Sequence, residues 1–276
     1  MYRILRRSEL ASNIDLLEIE AADVARKAKP GQFVILNLHE KGERIPLTLS
    51  GIDEEKGTVT LVFCEVGKTS KQLGQMVEGD FIPHLAGPLG NPSEIKHFGR
   101  VLCVGGGVMI APLYFQASAL KKAGNKVVAV IGARNKDLLI YEREFEKLCD
   151  EIYVATDDGS KGFQGLDFLK ELLKGSKIDR VVAMGPTIMM KTLSEITKPF
   201  GVKTIVALMP VMVDGMGMCG ACRVTVGGDT KFGCLDGPEF DGHLVDFDEL
   251  VNRQMMYLPE ERMALLMHRE SGGCGK

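Results

Sequence analysis

A short segment of the chain carries cysteines at spacings that suit a metal centre. Two residues separate Cys219 from Cys222, four residues separate Asp214 from Cys219, and Cys234 follows at a distance. Apart from its first position, this is the plant-type [2Fe-2S] spacing, in which four cysteines hold the cluster. An aspartate occupies the first position here, and a carboxylate is a harder iron ligand of equal charge. The segment therefore predicts a [2Fe-2S] cluster held by Asp214, Cys219, Cys222 and Cys234.

The same spacing leaves two other interpretations open. A Cys-x-x-Cys pair with two further ligands is also typical of structural zinc sites, although aspartate is an unusual ligand there. Free thiols are the second alternative. Glycines and alanines within the segment let backbone amides approach the sulfur atoms closely, which favours an iron-sulfur cluster. If the segment holds zinc instead, the chain is a non-redox interaction module.

A glycine turn is the second feature that could bind a cofactor. Residues 104–113 read Val-Gly-Gly-Gly-Val-Met-Ile-Ala-Pro-Leu. Glycines after an apolar strand let the amino terminus of a helix approach the pyrophosphate of a dinucleotide. A structural tight turn would read similarly, because Met109 and Ile110 stand where small residues are expected. The position of the turn at the start of an α/β pattern favours the dinucleotide.

Three regions must position these residues, and the first is predicted to be all-β. Residues 1–96 contain short apolar or alternating runs between turn signals, which predict a small antiparallel β-barrel. The expected strands lie at 16–19, 32–38, 46–50, 59–66 and 81–85. With 276 residues, the chain is long enough for two domains and a small appendage.

Residues 97–208 are predicted to form a doubly wound parallel α/β domain. Apolar strands alternate there with helical patterns. The expected strands lie at 101–104, 126–131, 151–156, 180–184 and 203–208. Residues 209–276 are predicted to form a small [2Fe-2S] appendage, with a hairpin from Cys222 to Cys234 that turns at 227–229 and a helix from about 245 to about 270.

Charge and cysteine usage limit the partners and the compartment. The formal net charge is −3 and the pI is about 6.0, without a basic stripe, so we expect neither a nucleic acid nor a membrane as partner. The first residues lack the apolar core of a signal peptide. Three of the seven cysteines lie in the metal segment rather than in a disulfide pattern. We therefore expect a cytoplasmic protein.

Several short motifs occur in an order that resembles the ferredoxin reductase superfamily over essentially the full length. Within it, the chain is similar to the branch that contains the electron-transfer subunits of dihydroorotate dehydrogenase and the small subunits of NADH-dependent ferredoxin:NADP oxidoreductase, also called sulfide dehydrogenase. The resemblance implies a ferredoxin-reductase-like fold with FAD in the barrel, NAD(H) on the α/β domain and a [2Fe-2S] cluster near the carboxyl end. The motifs lie at 30–33, 44–48, 67–70, 87–90, 105–107, 132–134, 157–160, 185–186 and 214–234.

The resemblance also implies which residues contact the flavin. The superfamily signature has an aromatic residue where Leu47 stands, and Arg44 lies one residue further from Thr48 than the signature requires. Without the resemblance, Arg44 reads as a solvated turn residue, and the segment from Gly67 to Ser70 reads as a helix cap. The implied FAD-binding residues are Arg44, Pro46, Leu47, Thr48, Gly67, Thr69, Ser70 and Gly87.

A second set of residues is implied to bind the nicotinamide dinucleotide. These residues follow predicted strands, where open α/β sheets bind ligands. Asp157 and Asp158 would repel a 2′-phosphate, which favours NADH over NADPH, although Arg134 and Lys136 lie nearby. The set comprises Gly106, Gly107, Ala111, Pro112, Arg134, Asp157, Asp158, Gly185 and Pro186.

The aspartate in the metal segment separates the two subfamilies. The dihydroorotate electron-transfer subunits carry a cysteine there, whereas the ferredoxin:NADP oxidoreductase small subunit is similar to this chain. The resemblance thus implies an enzyme subunit that exchanges a hydride with NAD(H) and single electrons with a larger flavin and iron-sulfur partner in a heterodimer. Electron bifurcation is one activity implied for such a complex, and a dihydroorotate dehydrogenase subunit is the alternative. Hydride transfer needs no catalytic acid or base, so no catalytic side chain is expected.

Overall fold

The computed structural model describes residues 1–40 and 42–270. The end of the predicted third region, 271–276, lies outside the described residues. Among the described residues, no helix is both long and apolar enough to cross a membrane.

The first part of the chain forms a curled antiparallel sheet. Its strand order is β6-β1-β2-β5-β4-β3-β7, and the edge strands β6 and β7 are separated along the chain by Pro83. The sheet therefore comes close to closing into a barrel, as predicted. Its elements are β1 (Tyr2–Ala11), β2 (Ile14–Glu20), α1 (Ala22–Ala25), β3 (Phe33–Asn37), β4 (Ile45–Asp53), β5 (Thr58–Cys64), α2 (Lys68–Gln75), β6 (Phe81–Ile82) and β7 (His84–Leu89).

Strand β1 is absent from the predicted strands. Its segment carries Arg6, Arg7 and Glu9, which are exposed, and Ile4 is its one fully buried side chain. Pairing with β2 and β6 holds the strand in place, and Arg7 adds an ion pair of 2.9 Å to the buried Asp15. Tertiary pairing, rather than apolar periodicity, determines this strand.

The second part forms a parallel sheet with helices on both faces, also as predicted. Helices α3 and α4 pack on one face, and α5 and α6 pack on the other. The elements are β8 (Arg100–Gly106), α3 (Ile110–Lys122), β9 (Lys126–Ala133), α4 (Glu142–Leu148), β10 (Glu151–Thr156), β11 (Phe163–Gln164), α5 (Leu169–Gly175), β12 (Arg180–Met184), α6 (Thr187–Thr197) and β13 (Thr204–Ala207), with 3-10 turns at Gly107–Met109, Lys136–Leu138 and Lys198–Phe200.

The last part contains the predicted hairpin and a strand that joins the second sheet. The hairpin pairs β14 with β15 and turns at Gly227 and Gly228. Strand β16 pairs antiparallel with β13, so the sheet order is β11-β10-β9-β8-β12-β13-β16. The parallel sheet thus extends across residue 208, while the predicted domain boundaries stay predictions. The elements are β14 (Arg223–Val226), β15 (Asp229–Phe232), β16 (Glu239–Asp241), α7 (Phe247–Gln254) and α8 (Leu258–Glu270).

The single helix expected from about 245 to about 270 is two helices, and this expectation was wrong. Helix α7 ends at Gln254, and α8 begins at Leu258 with Pro259 as its second residue. A proline has no backbone N–H and its ring clashes with the carbonyl four residues earlier, so it is tolerated in a first turn and breaks a helix elsewhere. Pro259 therefore separates the two helices.

Candidate functional site

Two of the four predicted metal ligands lie in direct contact. The sulfur atoms of Cys222 and Cys234 are 3.2 Å apart, and both side chains are buried. The hairpin brings them together because the Gly233 amide donates to the Cys222 carbonyl at 2.9 Å. Burial, followed by the hydrogen bond with Cys222, raises the pKa of the Cys234 thiol to about 12.

The other two predicted ligands are joined by a turn that wraps around a carboxylate. The Asp214 Oδ2 atom accepts hydrogen bonds of 2.8 Å from the amides of Met218 and Cys219, and Oδ1 accepts one of 3.0 Å from Met216. These amides, Met216 first, hold the pKa of Asp214 below its usual value. Gly217 has a φ of 83°, a left-handed conformation that favours glycine.

The four predicted ligands therefore form two pairs, Cys222 with Cys234 and Asp214 with Cys219. Within residues 1–40 and 42–270, no three His, Cys, Asp or Glu side chains already surround a metal position. The pairs are nevertheless close, because the Asp214 charge contributes, after burial and Cys222, to the raised pKa of Cys234. Three thiolates are soft, anionic ligands that suit an iron-sulfur cluster, and the Asp214 carboxylate is a harder ligand of equal charge. The residues fit such a cluster.

A cavity of about 680 Å³ lies between the barrel, the glycine turn and the end of the chain. Most of the residues expected at the flavin line it. The structure brings together Pro46, Leu47 and Thr48 from β4 with Gly67, Thr69 and Ser70 at the start of α2, and with Pro112 from α3. A cavity of this size with mostly apolar walls is typical of a cofactor site.

Two residues expected at the flavin lie elsewhere. Arg44 is exposed and is not among the residues that line the cavity. Gly87 packs against the barrel interior, where a Cβ atom would lie 2.7 Å from Val34 Cγ1. Arg44 lies just before β4 begins at Ile45, whereas the first four residues of β4 all line the cavity.

The polar side chains at the start of α2 already have partners. The Ser70 hydroxyl accepts hydrogen bonds from the amides of Val66 and Gly67 at 3.0 and 2.9 Å, so it caps the helix. The buried Thr69 hydroxyl donates to Glu43 Oε2 at 2.5 Å. Glu43 also lines the cavity, although the sequence patterns did not single it out.

The residues expected at the nicotinamide all lie at or just beyond the carboxyl ends of β8, β9, β10 and β12. A Cβ atom at Gly106 would lie 3.0 Å from Pro186 Cδ, so the turns after β8 and β12 touch. The amides of Asp157 and Asp158 donate to the carbonyls of Ala133 and Arg134 at 3.1 and 3.2 Å. Of the remaining members, Gly107 and Gly185 occupy the same two turns, and Ala111 and Pro112 lie in the first turn of α3.

The cavity meets the carboxyl ends of the parallel strands at two points. Pro112, in the first turn of α3, lines the cavity. Burial raises the pKa of Cys64, which also lines the cavity, while the nearby charge of Arg134 lowers it in part. A ligand on the sheet edge would therefore reach the cavity.

The cavity and the cysteine pair share one wall. Phe33 and Met212 line the cavity, and both pack in a buried apolar cluster with Cys222 and Cys234. Their side chains are 3% and 7% exposed, which excludes water from the wall. This arrangement depends on the contact between β3 and the segment before the metal loop, and no local pattern in the sequence reveals it.

The far wall comes from the C-terminal helix. Leu258, Glu261, Arg262 and Leu265 of α8 line the cavity, and α8 packs beside α2. Sequence reasoning assigned no binding role to these residues. Only the tertiary position of α8 brings them to the cavity.

Comparison with known proteins gives matches over almost the whole chain. A family model of the iron-sulfur cluster binding domain of dihydroorotate dehydrogenase B matches residues 210–246. A dihydroorotate dehydrogenase B (NAD(+)) electron transfer subunit homolog from Thermotoga maritima is 49% identical, covering 95% of this chain and 93% of that protein. The corresponding electron transfer subunit of Desulforamulus reducens is 32% identical, covering 86% of this chain and 94% of that protein.

A solved structure gives a match of similar extent. A chain in the structure of an NADH-dependent reduced ferredoxin-NADP oxidoreductase, studied for flavin-based electron bifurcation, has a TM-score of 0.91 and 48% identity, over 96% of each chain. These matches confirm the predicted resemblance and the ferredoxin-reductase-like fold.

Proposed function

Since the chain belongs to the family of electron-transfer subunits of dihydroorotate dehydrogenase B and their homologues, we propose that it is an oxidoreductase subunit. It uses FAD and a [2Fe-2S] cluster to exchange electrons between NAD(H) and a larger flavin and iron-sulfur partner. The barrel of residues 1–96 binds FAD, the α/β region of 97–208 binds NAD(H), and the region of 209–276 holds the cluster.

The shared wall is the observation that carries this proposal. Phe33 and Met212 line the cavity and belong to the same buried apolar cluster as Cys222 and Cys234. A two-electron carrier in the cavity would thus lie next to a one-electron carrier. When bound, FAD supplies that conversion, because it accepts a hydride from NADH and passes electrons on singly.

The chain's own residues bind and orient the reactants. The barrel residues Thr48 and Thr69 supply hydroxyl groups to the cavity, and Leu47 supplies an apolar contact in place of an aromatic one. Pro112 and the glycines after β8 hold the nicotinamide end of the dinucleotide against the cavity. Phe33 and Met212 exclude water between the flavin and the cluster.

The metal loop supports iron over zinc. The pair of Cys222 and Cys234 would ligate one iron, and the pair of Asp214 and Cys219 would ligate the other. A carboxylate is an unusual ligand for structural zinc, whereas a [2Fe-2S] cluster needs two pairs of anionic ligands. Zinc at this loop remains the alternative of a different class.

The ferredoxin:NADP oxidoreductase type is the first choice between the two branches. Sequence identity does not separate the branches, because the chain is 48% identical to the chain of the NADH-dependent reduced ferredoxin-NADP oxidoreductase and 49% identical to the Thermotoga maritima dihydroorotate dehydrogenase B homolog. The choice rests on Asp214, since the resemblance implies a cysteine at that position in the dihydroorotate branch. Affinity purification of the tagged chain from its native cells, followed by identification of the large subunit that copurifies, separates the branches. The unpaired metal-loop thiols also suggest a reducing compartment such as the cytoplasm.

The acidic pair after β10 supports NADH as the preferred dinucleotide. Asp157 and Asp158 are both exposed at the sheet edge, where a 2′-phosphate would meet their charges. The double variant Asp157→Asn and Asp158→Asn should reduce the KM for NADPH, because repulsion between one carboxylate and the 2′-phosphate costs about 1 kcal/mol. It should leave the KM for NADH, which has no 2′-phosphate, within about twofold. Equal use of NADH and NADPH by the unchanged chain would contradict this preference.

The experiment that tests the function is an anaerobic purification of the chain with quantified iron, acid-labile sulfide, zinc and flavin. We expect about two irons, about two sulfides and one flavin per chain, with a visible spectrum that NADH bleaches. Zinc in place of iron and sulfide would overturn the redox function. A cluster without flavin would reduce the chain to a one-electron adaptor.

A further inference from the structure

Helix α8 closes the cavity on the side where the pyrophosphate of FAD is expected. Leu258, Glu261, Arg262 and Leu265 face the cavity, and α8 packs beside α2. The first turn of α2 contains Lys68 and Thr69, which line the same end of the cavity. Gly67, Thr69 and Ser70 at this helix start are the members of the implied FAD set whose amides and hydroxyls suit a pyrophosphate, so α8 lies next to the expected pyrophosphate position.

The charges at this end of the cavity leave one guanidinium without a partner. The charged residues that line it are Glu43, Lys68, Glu261 and Arg262. Glu43 accepts a hydrogen bond from Thr69. Arg262 makes no hydrogen bond or ion pair within residues 1–40 and 42–270, and its side chain is exposed. An arginine in this state is available to an anionic ligand.

A flavin dinucleotide brings two negative charges that need cationic partners. The family resemblance implies a flavin contact for Arg44, but Arg44 is exposed and does not line the cavity. The guanidinium group is planar and carries paired donors that match phosphate oxygens, and such charge-assisted bonds are about twice as strong as neutral ones. Arg262 carries this guanidinium group and lines the cavity, whereas Arg44 does not line it.

We propose that Arg262 of α8 binds the pyrophosphate of FAD, in place of Arg44. This inference rests on the proposed function, since it assumes that the cavity binds FAD. It adds that the C-terminal helix is part of the flavin site and that bound FAD holds α8 against the barrel. The ligand group it recognises is the diphosphate, so the contact discriminates FAD from riboflavin.

The test compares two variants that remove the same charge, Arg262→Gln and Arg44→Gln. Each full-length chain is freed of flavin and titrated with FAD and, separately, with riboflavin, following flavin fluorescence. We expect Arg262→Gln to raise the Kd for FAD about tenfold, as the loss of one charge-assisted phosphate contact predicts, and to leave the Kd for riboflavin unchanged. Arg44→Gln should leave both Kd values unchanged, and Arg262→Lys should restore part of the FAD affinity.

Hydrogen exchange of the α8 amides gives a second readout. FAD should slow exchange in α8 of the unchanged chain and of Arg44→Gln, and riboflavin should slow it less. Wild-type affinity for FAD in Arg262→Gln would overturn the inference and leave the proposed function intact, as would a tenfold loss in Arg44→Gln instead. Failure of the unchanged chain to bind FAD would overturn both. A parallel loss of FAD and riboflavin affinity in Arg262→Gln would show a structural role and also overturn the inference.

Discussion

The metal loop and the flavin cavity differ in how the chain builds them. The loop's four candidate ligands lie between Asp214 and Cys234, and short-range hydrogen bonds within the loop and hairpin form both ligand pairs. The cavity combines segments from β3, β4, β5, α2, α3, residues 208–212 and α8. One site is local in the sequence, and the other exists only in the folded molecule.

The two sites should therefore respond differently to mutation. A change in the loop should affect the metal and leave the rest of the fold in place. A change at the shared wall should affect both sites, because Phe33 contacts the cavity and packs with the cysteine pair. The strongest tests compare matched substitutions in the two regions.

The largest effect is expected at the buried cysteine pair. Cys222→Ala removes one of two thiols in contact, and the chain should lose nearly all of its iron while it stays folded. Cys149→Ala is the control, because burial raises the pKa of that thiol to about 12 and it lies outside the loop. Iron and sulfide analysis of both variants measures the effect. Full iron in Cys222→Ala would show that Cys222 is not a ligand.

The second effect concerns Asp214, which accepts three amide hydrogen bonds and is also a candidate ligand. Asp214→Cys should keep the iron and shift the reduction potential of the cluster, because a thiolate is a softer ligand. Asp214→Asn keeps an acceptor for the amides but loses the charge, so it should bind less iron. The reverse pattern, with iron retained in Asn and lost in Cys, would mean that Asp214 only orders the loop.

The shared wall should give a smaller and mixed effect. Phe33→Leu removes a buried ring between the two sites, so it should weaken FAD binding and slow reduction of the cluster by NADH. Phe145→Leu is the matched control, since Phe145 is fully buried in the core between α3 and α4 and does not line the cavity. Both should lower the free energy of unfolding by about 1–2 kcal/mol. Equal slowing of electron transfer in both variants would contradict a specific role for the wall.

The smallest effect is a pH dependence at a contact that joins the regions. Glu239 follows the metal loop and accepts hydrogen bonds from Ser93 at 2.6 Å and Gln116 at 2.8 Å. Burial raises the pKa of Glu239, so the folded chain binds its proton more tightly than the unfolded chain. Stability should therefore fall as pH rises from about 4.3 through the raised pKa, and Glu239→Gln should remove this fall.

Melting temperatures across this pH range measure the effect. The control is a substitution at Glu94, for which the expected change of stability with pH is opposite. The ion pair with Lys96 lowers the pKa of Glu94, so the stabilisation from Glu94 is present above its unfolded pKa and is lost as pH falls. Glu94→Gln should therefore cost stability at neutral pH and cost little in acid. The same pH profile for both variants would show that burial does not dominate at Glu239.

Local patterns predicted the metal loop, the hairpin and the parallel strands, because each depends on neighbours in sequence. The contact of Cys222 with Cys234 follows from the β-hairpin of β14 and β15, which turns at Gly227 and Gly228. Strand β1 escaped prediction because its exposed charges hide its periodicity. The split between α7 and α8 could have been predicted from Pro259, since a proline beyond the first turn breaks a helix.

Contacts between distant segments account for what the sequence could not reveal. Arg44 was expected at the flavin from its place in a motif, but it lies before β4 and does not line the cavity. Arg262 lies more than 200 residues away in sequence and faces that cavity. Strand β16 follows the metal loop but pairs with β13. No periodicity or spacing encodes these three placements.

We propose that electrons pass from NADH through the cavity to the loop within this one chain. Electron paramagnetic resonance of the anaerobic chain after addition of NADH tests this path, with a flavin-stripped sample of the same preparation as the control. We expect the signal of a reduced [2Fe-2S] cluster in the flavin-loaded chain and none in the stripped chain. A bleached flavin with no cluster signal, or a cluster signal without flavin, would contradict it.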